Sequence, residues 1–444
     1  MADRTSIGDP ELVEQPVLEL QSEDTPVETA EEDVLSPKDV RRNMFCCIML
    51  DTIWFMGSTE LSLALTPLVV YLKMSNTMIG LMGAFSSARL IGQFLSPWIS
   101  QRFRFKKLYM IVANVPYNAA IGVAGLVIVM SGYLDVSKHW LMMFIMAMLF
   151  AYEFFAGFVS LPHQEYVAAT IPTTHRGRYN GLSQGLGSAA SILSASIGGW
   201  ILLHYAKPMS YGVLFLLMWV ACQGGYVLAA FAKEVPTPVE KAPKAWSKGM
   251  FRAAWQNIPY RRYQIYNLST IMLTAGLGFI TVYGFKVLHM PDTTSAVLMI
   301  LGSVVRIPVT VLAGFLVDRV GARRLMPLWS IGMAIMFLPV IFMHSALGVY
   351  LSFSLMIMVG AMGTSVSVVL MYGLPKPEDR SGHFTLQLLA TSGMNAVGIL
   401  VAGVVYDAVP YHTVFIGSSI LALCYYPFAK WVCAVLPADQ KSFS

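Results

Sequence analysis

Charge is what this sequence has least of. Only 12% of its 444 residues are Asp, Glu, Lys or Arg, while 56% are hydrophobic, against roughly 25% charged in an ordinary soluble domain. One water-soluble core cannot hide that much apolar surface, so lipid is the missing solvent. Cysteine is also scarce. The five present (Cys46, Cys47, Cys222, Cys424 and Cys433) lie in apolar runs without CxxC or His-paired spacing, which excludes a disulfide framework and a zinc site and leaves them as small buried hydrophobes. No GxxxxGK[ST] phosphate loop or HExxH metal site occurs, and the one GxSxG string, Gly181 to Gly185, lies inside the glycine-rich fifth apolar segment rather than on a strand-to-helix turn, so neither an ATP-driven engine nor a hydrolase has a signature here. The scattered histidines gather at no common depth. The expectation is a protein that is not an enzyme and has no cofactor, no metal and no nucleic-acid partner.

The charge that exists is unevenly spread. Residues 1–37 hold eleven Asp or Glu and one Arg, leaving about +15 on a remainder whose whole-chain net is +5. Residues 1–40 therefore read as a disordered acidic tail, too poor in apolar surface to offset the entropy of ordering. The tail lacks the basic-then-apolar order of a cleaved signal peptide, so the first hydrophobic segment is expected to remain as a true span.

A helix needs about 20 apolar residues to cross a hydrocarbon core of about 30 Å. Twelve segments of that kind are expected, at 44–72, 77–100, 108–132, 139–162, 179–204, 209–232, 264–288, 293–317, 325–345, 347–373, 384–409 and 412–435. Their continuous apolar character excludes a barrel, whose strands alternate over about ten residues. The fold class is all-α and transmembrane, with twelve helices in two pseudo-symmetric six-helix bundles at 41–232 and 264–436, joined by a basic linker at 233–263 and ending in a short tail at 437–444. Within the linker, Met250 to Ile258 has the makings of a short amphipathic helix on anionic headgroups, or of a plain solvated tether. Arg41, Arg42, Arg102, Arg104, Lys106, Lys107, Arg176, Arg178, Arg319, Arg323, Arg324, Lys376 and Arg380 fall on one side, which the positive-inside rule makes cytoplasmic. The other side holds Lys73, Lys138, Lys207 and Lys286. Both termini are then cytoplasmic in a multi-pass protein of the plasma or inner membrane, expected as a monomer among its lipids.

The two halves echo each other. An offset of 217 carries Ser86, Arg89, Gln101, Arg102, Lys106 and Lys107 onto Ser303, Arg306, Asp318, Arg319, Arg323 and Arg324. A second offset, of about 205, sets Gly177, Arg178 and Tyr179 against Gly382, His383 and Phe384. Duplicated halves suggest two bundles rocking about a site near the midplane. Small residues along the fifth segment, including Gly181, Gly185, Gly187, Ser194, Gly198 and Gly199, allow the close contacts that rocking or static packing requires.

The run Gly314, Asp318, Arg319, Gly321, Arg323 and Arg324 matches the loop signature of the major facilitator superfamily, which the chain resembles from about residue 40 onward. The stretch Arg176 to Gly181 is also similar to that superfamily. The resemblance implies that Asp318, Arg319 and Arg323 latch the cytoplasmic ends of helices in one conformational state. The first half departs from the pattern. Gln101 replaces the acid and both glycines are missing, and a neutral amide cannot supply the charged side of a latch. Gln101, Arg102, Arg176 and Arg178 are candidate gate residues on the cytoplasmic side, as are Gly314, Gly321 and Arg324. His163 and Glu165 are equally a gate with Arg176 or Arg178, or a solvated helix end.

Ionisable groups deep in a membrane cost roughly 2.5 to 3.5 kcal/mol each on insertion scales, so each needs a partner, water or a purpose. At about 1.5 Å per residue, Glu60, Arg89, Glu153 and Arg306 lie near the midplane. The expectation is that Glu60, Arg89 and Glu153 converge on a central cavity, with Arg89 pairing one carboxylate while the other exchanges a proton. The alternative is a permanent structural ion pair. Arg306, beside Pro308, either binds an anionic substrate group or pairs across the cavity with Glu60 or Glu153. Nine residues at 100° each place Asp51 opposite Glu60 on the first helix, as a gate or packing group nearer the cytoplasm. Trp54, Tyr117, Asn118, Tyr152, Asn267, Tyr283 and Asn395 are candidate cavity-lining groups. The function expected is secondary active transport of a small polar or zwitterionic solute by alternating access, coupled to protons. Efflux of a drug-like compound is one alternative, and a transporter-derived receptor or scaffold is another.

Overall fold

The computed structural model describes residues 36–100, 102–234, 252, 255–374 and 380–436. The acidic tail, Gln101, residues 235–251 of the linker with most of its amphipathic stretch, and residues 437–444 lie outside the described residues. So do the side chains of Arg176 and Asp318.

Among the described residues there are twelve helices long and apolar enough to cross a membrane. In the first half they are α1 (Pro37–Tyr71), α2 (Asn76–Ser100), α3 (Lys106–Met130), α4 (Lys138–Thr170), α5 (Thr173–His204) and α6 (Met209–Ala229). In the second half they are α7 (Ile258–Lys286), α8 (Thr294–Val320), α9 (Ala322–Met343), α10 (Ala346–Gly373), α11 (Arg380–Ala408) and α12 (Tyr411–Cys433). A helix satisfies every interior N–H and C=O within itself, which lipid cannot do for it. The starts are set by polar caps. Ser36, Ser75, Asn257, Ser137 and Ser345 each accept a hydrogen bond from a backbone N–H in the first turn of α1, α2, α7, α4 and α10 respectively. Gly321, at φ 90°, sits in a backbone region where an L side chain is strained, and there it separates α8 from α9.

Three helices are not continuous: a turn at Met336–Phe337 divides α9, and 3-10 turns break two others. A 3-10 turn interrupts α2 at Phe85–Ser87, just before Arg89, and another interrupts α7 at Ala275–Gly278. Both 3-10 breaks border the space between the halves.

Each half has its own apolar interior. In the first, one continuous core runs from Cys46 to Ala232 and takes in Ala296 of α8. In the second, the core is divided, one part around Phe279, Phe337 and Phe415 and the other around Tyr263, Tyr266 and Met326. Large apolar side chains such as Leu312, Phe315 and Trp140 are exposed, which suits contact with lipid tails. One of the five cysteines departs from the buried reading: Cys424 is exposed on α12. In a membrane span an apolar residue can face outward without meeting water, so apolar sequence does not imply burial in protein.

The halves meet along two crossings, α2 on α11 and α5 on α8. At the first, a Cβ added to Gly80 would lie 2.6 Å from the Ile399 carbonyl oxygen and 3.1 Å from the Gly403 Cα. At the second, one added to Gly199 would lie 2.9 Å from the Ala296 Cβ. Only small residues permit such backbone approach.

Candidate functional site

The Arg89 guanidinium and the Glu153 carboxylate form an ion pair between α2 and α4. Nε and Nη2 donate to the same oxygen, Oε2, at 3.1 and 2.8 Å. The local cause is a contact of glycines. A Cβ on Gly157 would lie 2.6 Å from the Gln93 nitrogen and 2.7 Å from the Gly92 Cα. The two helices therefore touch backbone to backbone, one turn from both charged side chains. One turn further along, Gln93 Nε2 donates to Ser160 Oγ at 2.9 Å.

Glu153 and its neighbour Tyr152 line a cavity of about 270 Å³ between the halves. Leu61, Leu65, Thr66 and Ser86 contribute from the first half, and Gly278, Phe279 and Ile399 from the second. Tyr117 stands behind Tyr152, its ring stacked at 4.6 Å and its hydroxyl donating to the Tyr152 oxygen at 2.9 Å.

Glu60 does not join this pair. Its Oε1 accepts from Ser194 Oγ at 2.6 Å, and its Oε2 is buried without a hydrogen-bond partner. The expected meeting of Glu60, Arg89 and Glu153 thus resolves into two contacts: Arg89 holds one carboxylate, and the other faces a single neutral hydroxyl. Arg306 is exposed on α8 and has no ion pair among the described residues; neither Glu60 nor Glu153 answers it here.

Asp51 sits in a cluster of its own. Oδ2 accepts from Tyr179 OH at 2.5 Å and from Ser183 Oγ, while Oδ1 lies 3.5 Å from His163 Nε2. Asp51 and Glu60 occupy separate sites, yet both bond to α5. On α5 the seam is Ser183, Gly187, Ser194 and Gly198, on one face. On α1 the partners are Asp51, Phe55, Glu60 and Leu63, which drift around the helix. Angular arithmetic on a lone helix misses this drift of the contact line.

At the end carrying the basic loops, the Arg176 side chain lies outside the described residues, and the other gate candidates make the following contacts. Glu165 Oε2 lies 3.5 Å from Lys106 Nζ rather than near Arg178, which is exposed, and His163 is taken by Asp51. Arg102, Arg319 and Arg324 are exposed, and Arg323 is half-buried, its carbonyl accepting from Cys433 Sγ at 3.1 Å. Gly314 is half-buried on α8 with open space at its Cβ position. An acid that the sequence reading passed over is central here. Glu234 accepts from the backbone nitrogens of Lys106 and Lys107 at 2.6 and 3.0 Å, capping α3. Burial pushes its carboxyl above the ordinary range, against the pull of those amides and of the two lysines.

Other candidates lie away from the cavity. Asn118 is buried inside the first bundle, donating to Asn114 Oδ1 at 2.8 Å and facing Gln223. Trp54 packs edge-on against Phe55, and Asn267 is buried in the second half. Tyr283 belongs to an aromatic core with Tyr411 and Phe415, and Asn395 is half-buried without a polar partner among the described residues. In membrane spans these residue types fill bundle interiors as readily as cavities, so type alone did not separate them.

The end opposite the basic loops carries a knot that sequence reasoning missed. Asn76, at the start of α2, is its hub. Nδ2 donates to the Tyr406 carbonyl at 2.9 Å, and Oδ1 accepts from Lys286 Nζ at 2.8 Å and Tyr411 OH at 2.7 Å. Lys286 also donates to the Met74 carbonyl at 2.6 Å, and Asp407 caps the same turn. Nearby, Asp292 is paired with Lys207 at 2.8 Å and accepts from Tyr211 at 2.5 Å. Each of these contacts joins one half to the other. The only signal was two of the sparse lysines on that side.

Comparison with known proteins fits this architecture. The model of the Major Facilitator Superfamily matches residues 44–376 and 286–443. Among solved structures, the D-xylose-proton symporter is similar with a TM-score of 0.66 at 15% identity, over 91% of this chain and 99% of that one. The nucleoside transporter NupG gives 0.62 at 14% identity, over 89% and 100%. A bacterial homolog to the human lysosomal transporter Spinster, inward-facing and unoccupied, gives 0.63 at 12% identity, over 90% and 97%. No curated protein matches in sequence.

Proposed function

The chain belongs to the Major Facilitator Superfamily, and from that premise we propose that it is a secondary transporter moving a small organic solute by alternating access, coupled to protons. Two bundles, 41–232 and 264–436, rock about the cavity lined by Tyr152 and Glu153, with both termini on the basic, cytoplasmic side. The knot around Asn76 and Asp292 holds the opposite side shut, which makes this an inward-facing arrangement.

The observation that carries the reading is the contrast between two membrane-embedded carboxylates. Glu153 has a guanidinium at 2.8 Å; Glu60 has one serine hydroxyl and no cation. A buried carboxyl without a counter-charge is the kind of group that takes up a proton and gives it back as its surroundings wet and dry. Glu153 lines the cavity with Arg89 bound to it from α2, so the pair can offer charge of either sign to a zwitterionic or polar group once it opens. The surrounding Leu61, Leu65 and Phe279 accommodate an apolar body. That mixture supports a solute with a polar head and an apolar portion, which brings the drug-like alternative close to the polar one. The proton symport named for the D-xylose transporter is a property of that protein, and it supports coupling here only through a shared fold.

Proteoliposomes with a trapped pH-sensitive dye test the proposal. A panel of amino acids, nucleosides, sugars and amphiphilic cations is added outside, and proton movement is followed with solute uptake. Solute-dependent proton flux that is lost in Glu60→Gln or Glu153→Gln supports it. If both variants carry solute against a pH gradient as the parent does, coupling through these carboxylates is wrong. If no solute moves at all, the receptor or scaffold reading takes its place.

A further inference from the structure

The two halves differ in how completely they are packed. The first has one unbroken core, whereas the second has two, separated along α7, α9 and α10. At the separation lies a cavity of about 370 Å³, walled by Thr270, Trp329, Met333, Met336, Met356 and Gly360 among others. Several of its wall residues, Gly360, Thr364 and Val368 among them, are exposed, so it is an open pocket rather than a sealed void. A space of this size is within the range of small-molecule sites.

Its walls state what it would hold. The hydroxyl hydrogens are spent on the chain itself: Thr270 on the Asn267 carbonyl at 2.9 Å, Thr274 on Ile271 at 3.2 Å and Thr364 on Gly360 at 2.9 Å. What remains is mainly apolar, with the Ser367 hydroxyl and the Trp329 indole N–H, which has no hydrogen-bond partner among the described residues, as the polar exceptions. The Trp329 ring is pressed flat against α10, where a Cβ on Gly363 would lie 2.6 Å from its Cε2, so it forms a fixed wall. The methionines are the adaptable walls, because an unbranched thioether reshapes around varied apolar groups and favours aromatic ones. At Gly360 an added Cβ would meet no heavy atom within 4 Å. The cavity also flanks the same 3-10 turn of α7 as the Glu153 cavity, with Leu277 lining one and Gly278 the other.

We propose that this second cavity binds the apolar body, aromatic or branched hydrocarbon, of the organic solute. The inference rests on the transport reading and narrows it to solutes with a substantial apolar part.

The test uses full-length protein in lipid nanodiscs with ¹³C-labelled methionine methyls, titrated with naphthalene. Saturable ring-current shifts are expected at Met333, Met336 and Met356, while exposed Met130 and Met143 report partition into lipid. Gly360→Leu, which fills the space, weakens the apparent affinity at least tenfold. Gly417→Leu, at another glycine with open space on α12, leaves it unchanged. Met356→Phe fills the cavity from the same helix and guards against misfolding of the first variant. Shifts at Met333 and Met356 that rise only in step with those of Met143, or that persist in both filled variants, overturn the inference. Saturable shifts without any solute flux sink the transport reading alone; flux without them sinks this inference alone.

Discussion

Asp407 closes the first turn of α2 from the opposite half of the protein: Oδ1 accepts from the Asn76 nitrogen at 2.8 Å, and Oδ2 from the Thr77 nitrogen and hydroxyl at 2.7 and 2.6 Å. A carboxylate at a helix N-terminus satisfies donors the helix cannot, and it complements the helix dipole. Here the cap and the capped helix belong to different bundles, so opening this end must break it.

Replacing that carboxylate should loosen the closed end. With Asp407→Asn in a cysteine-free background carrying Leu65→Cys, labelling by an impermeant maleimide added from the side opposite the basic loops should rise severalfold. Equal labelling of parent and variant would mean that the cap contributes nothing to closure.

The ion pair between Arg89 and Glu153 should show coupling in a double-mutant cycle. Removing one partner leaves the other charge uncompensated, whereas Arg89→Gln with Glu153→Gln removes both. We expect each single variant to lower thermal stability more than the double variant, with an interaction energy of about 1–3 kcal/mol. Additive losses would refute a direct partnership.

Gly157 should tolerate no side chain. A Cβ there forces α4 away from Gly92 and Gln93 of α2, and overpacking of this kind costs about 1–3 kcal/mol. Gly157→Ala should lower the melting temperature and reduce solute flux, because the pair one turn away is pulled apart. Gly185→Ala on α5, with nothing within 4 Å, is the control expected to do neither.

Glu234 should impose a pH dependence of definite sign. Its folded carboxyl titrates above the ordinary value of 4.5, so between the two the folded state holds more proton than the unfolded one. Unfolding free energy from this group therefore falls as pH rises through that window. In Glu234→Gln the decline in melting temperature from pH 4 to pH 6 should be shallower than in the parent. An identical slope would show that Glu234 does not titrate differently on folding.

Much of the architecture was legible because lipid enforces it. A span needs a long apolar run, and the twelve runs in the sequence correspond to twelve helices in the structure. The pairing of Arg89 with a deep carboxylate was also legible, since an intramembrane charge demands a partner; that the partner is Glu153 rather than Glu60 was not. The choice depends on the contact of Gly92 with Gly157, which sequence spacing does not reveal. The knot around Asn76 was hidden for a related reason. Lys286 and Lys207 stand out only as rare charges near helix ends, and their partners are more than eighty positions away. Glu234 was masked by the basic linker that follows it, which drew attention to net charge rather than to one acid. The drift of the α1 and α5 contact line depends on how two cylinders cross, and no periodicity within one helix encodes that.

The shared seam on α5 has a mechanical consequence. Ser183 and Ser194 stand three turns apart on one rigid rod, the first gripping Asp51 and the second Glu60, and the same rod leans on α8 of the other half through Gly199. An axial slip of a single turn would strip both acids of their serines at once. The Asp51 cluster and the deep carboxyl are thereby geared together, so that whatever displaces α8 is felt by both in the same stroke.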